Sequence, residues 1–112
     1  MNDDLKVVWK AIDEKFGKDT VMLDIRSLTP MSDYFIITSA SNINQMQAIA
    51  DDIEKELAKR DIRILHLEGY DSNWILMDFN NIVVHIFDNE AREFYDLERL
   101  WADAVKIDCS KV

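Results

Sequence analysis

Apolar residues recur three or four positions apart in three stretches of the chain, which predicts three helical segments. The first covers about residues 3–16, and Gly17 is placed to end it. Asn42 and Gln45 have the spacing of a capping box, and the second segment follows them to about Arg60. The third begins at Asp88 or Asn89, and one face of it is predicted to hold Phe94, Leu97, Trp101 and Ala104.

Strand patterns fill the intervals between these helices. Five stretches alternate in period two or form short apolar runs, at about 21–25, 34–39, 62–67, 74–79 and 82–87. The strands on either side of the second helix should be parallel and connected in a right-handed sense. The sequence therefore predicts one α/β (or α+β) domain over 1–112, with a mixed five-stranded sheet flanked by helices. In this prediction the sheet domain covers about 20–104, and 105–112 is a frayed tail.

The last two strands are predicted to form a hairpin, because Asn80 and Asn81 suit a two-residue turn. This turn pairs Trp74 with Phe87, and cross-strand partners point to the same side of a sheet. The inner hairpin face is then wholly apolar and consists of Ile75, Met77, Phe79, Ile82, Val84 and Ile86. The outer hairpin face mixes apolar and polar groups and consists of Trp74, Leu76, Asp78, Val83, His85 and Phe87.

The register leaves two interpretations of the outer hairpin face open. It is either a second core layer beneath a helix, or an exposed surface whose aromatic anchors bind a partner. Catalysis by Asp78 and His85 is disfavoured, because the sequence fixes no Ser or Cys nucleophile beside them. Two His residues without a Cys cluster are also poor ligand spacing for a metal. The sequence therefore predicts neither a catalytic residue nor a cofactor.

Charge narrows the class of partner. The chain has 22 acidic and 13 basic residues and a net charge of -9. Such a balance argues against direct nucleic-acid binding and favours a basic partner. The chain has one cysteine, no signal-peptide pattern at its start and no apolar run long enough for a membrane span. These features predict a cytoplasmic protein.

Several segments together resemble the ribosomal silencing factor family, also called the Iojap family. They are WILMD at 74–78, VHIF at 84–87, REFYDLERLW at 92–101, DYFII at 33–37, Ser39, Ser41, Gln45, AIA at 48–50, and Glu68 with Gly69. The match extends over about 20–104, and the combination is far more specific than any one segment. The chain departs from the family at Ala40 and Asn73, where members often have Gly, so the backbone of those two loops is in question.

This resemblance implies a nucleotidyltransferase-like fold and a function without catalysis. It implies binding to the large ribosomal subunit through the fourteenth large-subunit protein, a basic protein at the subunit interface. Binding there blocks joining of the small subunit and represses translation. Two other functions remain: a nucleotide-dependent transferase, disfavoured by the poor loop Ser39-Ala40-Ser41, and a module that binds another basic protein. An exposed aromatic surface also allows a homodimer.

Register and resemblance together assign roles to seven partner-binding residues. Trp74 and Leu76 are expected to be apolar anchors, and Asp78 to pair with a Lys or Arg of the partner. The remaining members are His85 and Phe87, which fill out the surface, Glu68, which extends its acidic rim, and Glu98, a polar contact or support. Trp101 is expected to lie mostly in the core.

Overall fold

A mixed β-sheet with helices on both faces organises the chain in this computed structural model, which describes residues 3–111. In chain order the elements are α1 (Asp3–Glu14), β1 (Lys18–Asp24), β2 (Tyr34–Ala40), α2 (Ile43–Ala58), β3 (His66–Glu68), β4 (Trp74–Asp78), β5 (Ile82–Asp88), α3 (Asn89–Tyr95), α4 (Leu97–Leu100), β6 (Val105–Ile107) and a 3₁₀ turn, Cys109–Lys111. The strand order is β3-β4-β5-β2-β1-β6. Within the described residues, β2 and β5 are parallel neighbours and the other adjacent strands are antiparallel.

The end of α1 and the start of α2 each have a cap at the position that the sequence predicts. The amide of Gly17 donates to the carbonyl of Ile12 and that of Phe16 donates to Asp13, which is the Schellman pattern. Phe16, rather than Gly17, takes the left-handed conformation, with φ 64°. Gly17 is needed for space, since a Cβ there would collide with the Ile12 side chain. At the start of α2, Asn42 Oδ1 accepts from the Gln45 amide at 2.8 Å, as the capping box predicts.

Two apolar cores lie on opposite faces of the sheet. Helices α1 and α2 cover the first face, and the whole inner hairpin face is buried there, as the register predicts. The second core is smaller and is formed mainly by Leu23, Ile25, Ile37, Phe87 and Ala91, with Leu97 and Trp101 packed at its side. Burial of apolar surface stabilises a fold by about 25 cal/mol per Å², so both cores contribute to stability.

The predicted mixed sheet flanked by helices is confirmed, with three differences in its elements. The sheet has six strands in the described residues, because Val105–Ile107 pairs with β1 as β6. The prediction of a frayed tail is therefore wrong for 105–111, while Val112 lies outside the described residues. The predicted strand at 62–67 shortens to His66–Glu68. It runs in the same direction as β2, as predicted, but β4 and β5 lie between them.

The third difference is a break in the last helical stretch. Asp96 adopts a left-handed conformation, φ 47°, which separates α3 from α4 and redirects the chain. As a result Phe94 is 80% exposed instead of sharing the buried face of Leu97 and Trp101. The periodicity placed the helical residues well, but it gave no indication of this turn.

Candidate interaction surface on the hairpin

The hairpin forms with the predicted register, from Trp74 opposite Phe87 to Asp78 opposite Val83. The Phe79 amide donates to the Ile82 carbonyl at 2.9 Å and closes the two-residue turn. Asn80 supplies the positive φ of 79° that the turn requires. The Asp78 carboxylate accepts from the Asn80 amide at 2.8 Å, so this side chain also stabilises the turn.

The outer hairpin face is divided by the fold into a covered part and an open part. His85 is 4% exposed and Phe87 is 0% exposed, because α3, Leu97 and Trp101 pack on this side of the sheet. The prediction that these two residues fill out an exposed surface is therefore wrong; they form the second core layer that the register had left open. We call the half-buried remainder, Trp74, Leu76, Asp78 and Val83, the open surface.

An aromatic cluster supports the open surface from beneath. The Trp74 ring lies 5.0 Å from Phe87 and 4.7 Å from Tyr95, measured between ring centroids. On the other side, Phe35 packs edge-on against His85 at 4.9 Å and against Trp101 at 5.0 Å. Aromatic pairs at these distances add to the free energy of burial. Trp74 is thus packed against an aromatic cluster on its inner side.

His85 acts as a neutral acceptor within this aromatic cluster. The indole Nε1–H of Trp74 donates to His85 Nδ1 at 3.1 Å. Burial lowers the pKa of His85 to about 4, and His85 Nε2 has no hydrogen-bond partner among the described residues. Asp78 and His85 are therefore each bonded elsewhere, the first to Asn80 and the second to Trp74. This arrangement orients the indole of Trp74.

The two predicted acidic residues have different environments. Glu68 is exposed at the end of β3, directly opposite Leu76, so it lies at the edge of the open surface. Glu98 instead holds Arg92, with contacts of 3.0 Å and 3.3 Å between its carboxylate oxygens and the guanidinium nitrogens. The structure thus favours a supporting position for Glu98.

Two cavities adjoin the open surface. One, of about 250 Å³, is lined largely by apolar groups and includes Phe35, Val83 and Trp101, with Asp78 at its wall. The other, of about 260 Å³, is lined by residues around Trp74, Leu76 and Tyr95, with Glu68 beside them. Apolar walls with a carboxylate suit the apolar and cationic side chains of a protein partner. Sequence reasoning missed Phe35 and Tyr95 here, although both lie in the quoted family segments.

Gly69 fixes the loop that leads into Trp74. It has φ +71°, and an added Cβ would collide with the Trp74 carbonyl. We expect Gly69→Ala to lower the free energy of unfolding by about 1–3 kcal/mol, because an L-residue is strained in this conformation. Asn73→Ala, an exposed change in the same loop, is the control and should cost much less in the same urea titration. Equal stability of the two variants would contradict the assignment of strain to position 69.

Two features are absent from the part of the chain between residues 3 and 111, namely a membrane-spanning helix and a cluster of metal ligands. No helix in it combines the length and the apolar composition that crossing a membrane requires. Its His, Cys, Asp and Glu side chains do not come together in threes as ligands for a metal ion.

Comparisons with known proteins identify the family of this chain and agree with its overall fold. The sequence matches the family described as "Ribosomal silencing factor during starvation" over residues 1–112. It is 37% identical over 101 residues to the ribosomal silencing factor of Bacillus subtilis, covering 89% of this chain and 86% of that protein. A crystal structure of a Chromobacterium violaceum protein superposes with a TM-score of 0.87 at 28% identity, covering 91% of this chain and 88% of that one. One from Bacillus halodurans superposes with a TM-score of 0.83 at 32% identity, covering 96% and 99%. The chain belongs to the ribosomal silencing factor family.

Proposed function

We propose that this protein binds the large ribosomal subunit through the open surface and thereby prevents the small subunit from joining. The partner is the basic fourteenth large-subunit ribosomal protein at the subunit interface, and the outcome is repression of translation in the cytoplasm. The protein acts by occupying this interface and not by catalysis. Membership of a family of ribosomal silencing factors supports the role, and the chemistry of the open surface supports the kind of partner.

The observation that carries the proposal is the position of Asp78 on β4. Its side chain is half-buried, with Val83 opposite it on β5 and His66 opposite it on β3, and it forms no ion pair with any Lys or Arg side chain between residues 3 and 110. A carboxylate in this setting is suited to a cation supplied from outside, and the net charge of -9 attracts basic partners over a longer range. Trp74 and Leu76 provide the adjacent apolar contact area.

Asp78→Asn tests the proposal while preserving the turn, since the Asn side chain still offers an oxygen to the Asn80 amide. We expect binding to purified large subunits to weaken roughly 10- to 100-fold, the usual effect of losing a hydrogen bond to a charged group. Sucrose gradients with purified subunits, run with and without the protein, measure both its binding to the large subunit and its effect on subunit joining. The wild type should comigrate with the large subunit and reduce the joined-ribosome peak.

Glu14→Gln is the matched control, because it removes one negative charge from α1 on the opposite face of the sheet. It should bind as tightly as the wild type. Normal comigration of Asp78→Asn with the large subunit would show that Asp78 does not contribute to the interface. Failure of the wild type to bind large subunits, or undiminished joining in its presence, would refute the function itself.

A further inference from the structure

Arg92 makes the most extensive set of side-chain contacts among the cations of the described residues. Its Nε and Nη2 donate to the two carboxylate oxygens of Glu98, at 3.0 Å and 3.3 Å. Its Nη1 donates to Ser39 Oγ at 2.9 Å and to the Lys18 carbonyl at 3.3 Å. Only 13% of the Arg92 side chain is exposed, against 42% or more for the cation of each other ion pair in residues 3–111. A planar guanidinium can satisfy all these acceptors at once, which an ammonium cannot.

These contacts bridge the helix break at Asp96. Arg92 lies in α3 and Glu98 in α4, and the left-handed Asp96 stands between them. Helix α4 has four residues and buries none of them fully, so it is too short to hold its place by its own hydrogen bonds. The pair therefore supplies a fixed connection from α4 to α3 and, through Ser39, to β2.

The position of α4 determines one wall of the open surface. Trp101 directly follows α4 and packs edge-on against Phe35 at 5.0 Å. Trp101 and Phe35 both line the cavity of about 250 Å³ that adjoins Asp78 and Val83. A displacement of α4 would move Trp101 and alter this cavity, although neither Arg92 nor Glu98 lines it.

We infer that Arg92 and Glu98 are positioning residues that fix Trp101 beside Asp78 and so prepare the cavity before the partner arrives. This inference rests on the proposed function for its binding readout. A surface that is already ordered loses less conformational freedom on association, which is why such a pair affects affinity without touching the partner.

The test uses Glu98→Gln and the milder Arg92→Lys in the full chain, with Glu56→Gln as the control. Glu56 pairs with Lys59 at 2.9 Å at the C-terminal end of α2, so its variant removes an ion pair remote from the open surface. Two readouts are needed: affinity for purified large subunits, and the indole N–H signals of ¹⁵N-labelled protein. Trp101→Phe assigns the Trp101 signal, and the Trp9 signal in α1 reports the integrity of the rest of the fold.

Both variants should weaken binding about ten-fold and shift the Trp101 signal while the Trp9 signal keeps its native position. Glu56→Gln should change neither. An unmoved Trp101 signal, or a shifted signal with native affinity, would overturn the inference. Loss of the Trp9 signal in both variants would also overturn it, by making the pair a requirement for folding. If the wild type itself does not bind large subunits, the proposed function fails, whereas the Trp101 signal still reports whether the pair positions α4.

Discussion

Phe87→Ala should lower the free energy of unfolding by about 3–5 kcal/mol, a large part of the 5–15 kcal/mol typical of a domain. Phe87 is 0% exposed and contacts both Trp74 and Tyr95 through its ring. Its truncation removes buried apolar area and leaves a cavity that the sheet cannot close, because β4 and β2 hold β5 on both sides. Urea titration followed by circular dichroism measures the loss, and thermal unfolding should show a midpoint lower by more than about 10 °C.

Leu76→Ala is the matched control, since Leu76 lies on the same outer hairpin face but is only half-buried. Its cost should be about 1 kcal/mol, because part of the side chain already contacts solvent. In the ribosome-binding assay the order should reverse, with Leu76→Ala the more damaging among folded molecules. Similar stabilities for the two variants would show that Phe87 is not a core residue, and that the outer hairpin face is more open than the structure has it.

The hairpin was predictable because short-range rules determine it. Two Asn residues between alternating apolar strands fix a two-residue turn, and the turn fixes every cross-strand pair up to Trp74 and Phe87. The inner hairpin face followed from the same register, since six apolar side chains on one side must be buried. The caps of α1 and α2 were equally local, with Asn42 and Gln45 as the clearest signal.

The covered part of the outer hairpin face was not predictable, because it depends on where α3 and α4 lie. The decisive residue is Asp96, whose left-handed conformation breaks the helix without a Gly or Pro to announce it. Periodicity extended one helix through this position and placed Phe94 on the buried face. Phe94 is instead 80% exposed, because this single backbone turn points it away from the core.

Strand β6 was missed for a different reason. Val105–Ile107 has three residues, too few for a period of two to be recognised, and it is a strand only because the edge of β1 offers hydrogen bonds to it.

Burial in the candidate site also depends on contacts between residues far apart in the sequence. Residue types and resemblance selected Trp74, Leu76 and Asp78, which are half-buried, whereas the full burial of His85 depends on contacts with residues such as Phe35, far away in sequence.

Acidification from pH 7 to 4 should destabilise the fold by about 3 kcal/mol through His85 alone. Burial lowers the pKa of His85 from 6.5 to about 4 in the folded protein. Between these two values the unfolded chain binds a proton that the folded chain does not, so stability falls as the pH falls through this window. Protonation of Nδ1 would also displace the Trp74 indole N–H, which donates to that atom.

His85→Phe separates this effect from the titration of carboxylates. The variant loses the Trp74 hydrogen bond, so its absolute stability changes, but its stability should vary much less between pH 6.5 and 5 than that of the wild type. Urea titrations at half-unit pH intervals give the slopes. Parallel curves for wild type and His85→Phe would mean that the imidazole accepts a proton in the folded state without penalty, which is incompatible with the burial of His85 against Trp74.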